Sequence, residues 1–135
     1  MNILIISQNS SHSKSLHRQI VGKVNDIYDG IEVLTLSTPA EFNDQYDKSE
    51  LDIVITDIVM SGKNGLDIIS ETKLSHPNIT IIAISETVGI PGKFHYMPIA
   101  RMLGADAALE KPINTKHFVD TVSALIELKL GRMVA

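Results

Sequence analysis

Short aliphatic runs alternate along the chain with segments whose apolar residues recur every three or four positions. The runs Ile3–Ile6, Glu32–Leu36, Ile53–Thr56, Thr80–Ile84 and Ala107–Leu109 read as strands. Leu16, Ile20, Val24 and Ile27 keep helical spacing and predict a first helix over Ser13–Tyr28, stopped by Asp29–Gly30. Thr38–Pro39–Ala40–Glu41 has the form of a capping box with proline at the first helical position, opening a short helix that ends near Tyr46. Leu66, Ile69 and Lys73/Leu74 mark a third helix that stops at His76–Pro77. Met97–Leu103 forms a fourth, closed by Gly104. Phe118, Val122, Leu125, Ile126 and a snorkelling Lys129 lay a stripe along a last helix, Thr115–Leu130.

Five strands alternating with five helices predict an α/β fold. Near-continuous Val/Ile/Leu strands belong in a parallel sheet covered on both faces, and right-handed crossovers make it doubly wound. Ligands in such folds bind beyond the carboxyl ends of the strands, at the switch in strand order. That rule gathers Ser7–Gln8–Asn9, Asp57, Ser85 and Lys111 on one rim. The expected organisation is one domain over residues 1–130, with 131–135 a short tail.

Composition narrows the function. The chain has 135 residues, 44% of them hydrophobic, enough for one sizeable core. Its net charge of −4 and its lack of tryptophan argue against nucleic-acid binding. There is no cysteine, hence no disulfide and no thiolate chemistry. No apolar run approaches the ~20 residues of a membrane span, and Met1 leads straight into a strand rather than a signal-like leader; a cytoplasmic location is expected. The five histidines are scattered, and none is placed by a motif as a metal ligand or a base, so an enzyme acting on small substrates is not expected. A flavodoxin-like cofactor binder would need a glycine-rich loop after the first strand, and Ser7–Ser13 holds no glycine.

Asp57 is followed by Met60 and Gly65; Ile82–Ala83–Ile84–Ser85 comes next, then Leu103–Gly104–Ala105–Asp106 leading into Leu109–Glu110–Lys111–Pro112. In this order, at these strand ends, the pieces resemble the receiver domain of two-component response regulators over nearly the whole chain. The resemblance implies a flavodoxin-like strand order 2-1-3-4-5. It also implies a phosphoryl group on Asp57, delivered by a sensor histidine kinase or phosphotransfer protein. Ser85 and Lys111 would contact that group, and a cis bond before Pro112 would aim the lysine inward. Output would run to a downstream effector protein, through a face of fourth helix, fifth strand and fifth helix that could also pair two copies.

The chain departs from that pattern. The family's acidic pair after the first strand is replaced by Ser7 and Gln8, and its usual proline after Met60 by Ser61. Mg²⁺, which the resemblance implies, would keep only Asp57, the carbonyl of Val59 and at best the Gln8 amide oxygen, so binding is expected to be weak. Each lost ion–ion contact at about 4 Å is worth roughly 4 kcal/mol at an effective dielectric of about 20. Ala108 stands where the family often has an aromatic, and Thr87–Tyr96 carries an insertion with Gly89, Pro91, Gly92, Phe94 and His95. Two readings compete: a phosphorelay receiver with a degenerate metal site, or a phosphorylation-independent interaction module of the same fold.

Overall fold

The structure is a computed structural model that describes residues 1–44, 47–61, 64–85 and 96–131. The five aliphatic runs become β1 Asn2–Ile6, β2 Glu32–Leu36, β3 Ile53–Asp57, β4 Thr80–Ser85 and β5 Ala107–Glu110. They pair in parallel throughout, in the order β2-β1-β3-β4-β5. Between them run α1 Ser10–Gln19, α2 Pro39–Asp44, α3 Gly65–Ser75, α4 Tyr96–Met102 and α5 Thr115–Lys129.

The two-residue alternation of a strand sends side chains to opposite faces. Ile3, Ile5, Ile53, Ile55, Ile82 and Ile84 therefore pack on one side with Leu16 and Ile20 of the first helical segment and Phe118, Val122 and Ile126 of α5. Leu4, Ile6, Val54, Ile81 and Ala83 pack on the other with Phe42, Ile68, Ile69 and Ala100. Both faces are buried, which is why β1, β3 and β4 read as unbroken apolar runs.

The first helix differs from its sequence reading at both ends. It starts earlier, because Asn9 rather than a later residue caps it, its side chain accepting from the His12 N–H at 3.0 Å. It ends as an α-helix at Gln19 and widens into a π-helical turn over Ile20–Val24, with the Asn25 N–H bonded to the Ile20 carbonyl. One extra residue in a turn rotates the next stretch of chain by about 100°. Ile27 therefore swings out to 61% exposure, and Tyr28 takes its place in the core, its hydroxyl donating to Glu127 at 2.7 Å.

In α3 the buried positions are Gly65, Ile68, Ile69 and Thr72, while Leu74 is 85% exposed. A count of apolar residues misses this face because a glycine and a threonine belong to it. Lys129 of α5 donates to the Asn78 carbonyl at 2.7 Å instead of only snorkelling. The expected insertion at 87–96 lies outside the described residues except for Tyr96, which opens α4; the expected end of the second helix at Tyr46 also lies outside them. Among the described residues no helix is long and apolar enough to cross a membrane.

Candidate functional site

Asp57 is the last residue of β3, in the centre of the sheet, and is 6% exposed. Its backbone sits on a close-packed floor. The Gly65 N–H donates to the Ile58 carbonyl at 2.8 Å, bringing the start of α3 onto the end of β3. A Cβ at Gly65 would lie 2.1 Å from the Asp57 carbonyl oxygen, so only glycine fits there. Asn64 caps α3 by accepting from the Asp67 N–H at 3.1 Å.

The two carboxylate oxygens of Asp57 differ. Oδ2 accepts a short hydrogen bond of 2.5 Å from the Ser7 hydroxyl, just past β1. Oδ1 is buried and takes no hydrogen bond among the described residues. Two nitrogens face it: His12 Nε2 at 3.4 Å and Lys111 Nζ at 3.8 Å. His12 Nε2 is itself buried and unbonded among the described residues. Lys111 follows β5; its N–H donates to the Ser85 carbonyl at 3.0 Å, and its bond to Pro112 is cis. Ser85 ends β4 beside Asp57 and is buried. Carboxylate, hydroxyl and ammonium thus come from the ends of three neighbouring parallel strands.

Gln8 does not turn toward Asp57. Its amide lies against the backbone of Ser61, donating to the carbonyl at 2.9 Å and accepting from the N–H at 2.8 Å. The oxygen expected to be a weak cation ligand thus already accepts from a backbone donor. His12 is the site residue that motif spacing does not reveal. Its signal is the helix cap, since an N-cap at Asn9 puts His12 on the first turn of α1, whereas a helix start at Ser13 leaves His12 in a loop.

These residues do not suit Mg²⁺, which demands an octahedron of oxygens. One oxygen of Asp57 is committed to Ser7, the Gln8 amide is committed to Ser61, and an imidazole and an ammonium crowd the other oxygen. Among the described residues no group of three His, Asp or Glu side chains is placed to hold a metal ion.

The family model described as response regulator receiver domain matches residues 3–123. An uncharacterized transcriptional regulatory protein, YesN, of Bacillus subtilis (strain 168) is 27% identical over 117 residues, which is 86% of this chain. The chain spans 27% of the length of that relative. Among solved structures, a response regulator receiver domain protein from Clostridium thermocellum superposes with a TM-score of 0.76 at 27% identity, covering 98% of each chain. The signal receiver domain of a DNA-binding response regulator from Colwellia psychrerythraea 34H gives 0.78 at 22% identity, covering 94% of this chain and 98% of that one.

Proposed function

This chain belongs to the response regulator receiver domain family, and from that premise we propose that Asp57 is the phosphoryl acceptor of a two-component signalling switch. The observation that carries the reading is the approach of Lys111 to Asp57 Oδ1 at 3.8 Å across two strand ends, with Ser85 between them in the sheet. The unbonded Oδ1 is the nucleophile. It attacks the phosphorus of a phosphohistidine on a sensor kinase or phosphotransfer protein. The Asp57 O–P bond forms as the P–N bond breaks, and the departing imidazole keeps the electron pair. Lys111 pairs with one phosphoryl oxygen as a point charge, and the Ser85 hydroxyl donates to another. The Lys111 N–H, bonded to the Ser85 carbonyl, keeps the two backbones side by side. Output passes to an effector protein through α4, β5 and α5, the face on which two copies would also pair.

A second reading has its own support. The Ser7 hydroxyl already satisfies Asp57 Oδ2, and buried Ala108 offers no aromatic side chain to relay a change. On that reading the domain binds a partner through a fixed surface and needs no phosphate. Incubation with acetyl phosphate, with intact-mass measurement as the readout, decides between the two. A gain of one phosphoryl mass that Asp57→Asn abolishes is the expected result. No gain from acetyl phosphate or from a phosphorylated kinase leaves the interaction module.

A further inference from the structure

We infer that this site takes a phosphoryl group without a divalent metal, His12 supplying the donor that a cation would otherwise provide. The inference rests on Asp57 as the acceptor and concerns its surroundings.

Two buried atoms, each without a hydrogen bond among the described residues, face each other: His12 Nε2 and Asp57 Oδ1, 3.4 Å apart. Buried polar groups are normally hydrogen-bonded, so such atoms are rare and ask for an explanation. An ionised carboxylate can only accept, so the nitrogen that faces it carries a hydrogen. His12 is held there by the first turn of α1, its own N–H tied to the Asn9 cap. Lys111 reaches the same oxygen from the end of β5. A phosphoryl group bonded to Oδ1 would place its oxygens between these two nitrogens. It would satisfy both unmet atoms at once and pair with the ammonium as well. That bracket supplies the charge stabilisation the transfer needs.

Two of the oxygens a magnesium ion would use are meanwhile engaged elsewhere, Asp57 Oδ2 by Ser7 and the Gln8 amide oxygen by the Ser61 N–H. A separation of 3.4 Å would also suit two ligands of a tetrahedral transition-metal ion. An ammonium facing the same oxygen at 3.8 Å, and the lack of a third ligand side chain among the described residues, argue against it. The step needs no redox partner. With acetyl phosphate, the Asp57 O–P bond forms, the acyl O–P bond breaks, and acetate leaves with the electron pair.

The experiment compares acetyl phosphate labelling of the full chain in EDTA and in Mg²⁺ by intact mass. Wild type, His12→Ala, His12→Asn and Asp57→Asn are followed, with thermal melts to confirm folding. The expected result is equal labelling of wild type in both conditions. His12→Ala should slow the EDTA reaction on the order of a hundredfold, and His12→Asn, which keeps an N–H donor, should recover part of it. Labelling of wild type only in Mg²⁺ overturns the inference and leaves Asp57 as acceptor. Recovery only with Zn²⁺ or Co²⁺ also overturns it and makes His12 a metal ligand. Equal labelling of wild type and His12→Ala in EDTA removes His12 from the chemistry. No labelling in any condition, nor by a phosphorylated kinase, overturns this inference together with Asp57 as acceptor and leaves the interaction module.

Discussion

Two lysine–aspartate pairs sit at opposite ends of the same sheet, and they are built differently. At the amino-terminal edge, Lys73 and Asp106 meet at 2.9 Å. Asp106 Oδ2 also accepts from the Ile81 N–H at 2.8 Å, and Lys73 also donates to the Ile79 carbonyl at 2.7 Å. Gly104, with φ +120°, lets the chain pass against the lysine stem; a Cβ there would lie 2.7 Å from Lys73 Cγ. Each partner has more than one bond, and together they stitch α3 to the start of β4 and β5. At the carboxyl-terminal edge, Lys111 stands 3.8 Å from Asp57, and Oδ1 has no hydrogen bond among the described residues. The first pair spends its polarity on holding strands; the second keeps a buried oxygen uncommitted. Buried polar groups are normally satisfied, so the contrast marks where chemistry is expected.

The contrast can be broken or sharpened by substitution. The largest effect is expected beneath the site, where the start of α3 presses on the backbone of Asp57. Gly65→Ala drives a methyl into the Asp57 carbonyl and should cost about 3 kcal/mol in urea unfolding. A cost near zero would mean that α3 floats free of β3. Next, Asp106→Ala leaves the Ile81 N–H and the Lys73 ammonium without their shared acceptor and should cost about 2 kcal/mol by the same measurement. Smallest is Asp57→Asn, which keeps an oxygen to accept from the Ser7 hydroxyl and should leave stability within about 1 kcal/mol of wild type while abolishing labelling. If Asp57→Asn destabilised as much as Asp106→Ala, both pairs would be structural and the distinction would fall.

Most of the fold is legible in the sequence because it rests on periodicity. Five aliphatic runs become five strands, each true to within a residue or two; burial on both faces keeps β1, β3 and β4 nearly free of polar interruption, while the more exposed β2 admits Glu32 and Thr35. The rim comes from topology: once the strands are parallel, Asp57, Ser85 and Lys111 must share an edge. The features that escape lie where spacing misleads. Ile20, Val24 and Ile27 keep a helical rhythm straight through a π-turn, and nothing in the rhythm records the residue that turn inserts. His12 escapes because apolar spacing starts the first helix at Ser13, and only the Asn9 cap brings His12 onto its first turn. Gln8 escapes because its partner is a backbone group, which a sequence does not display.

The Gln8–Ser61 clasp uses both the N–H and the carbonyl of Ser61. Receivers commonly carry proline where this chain has Ser61, and a proline nitrogen has no hydrogen to offer the glutamine. A carboxylate at position 8 could still accept from the Ser61 N–H but would have no donor for the Ser61 carbonyl, so the clasp would keep one of its two hydrogen bonds; a proline at position 61 would remove the other.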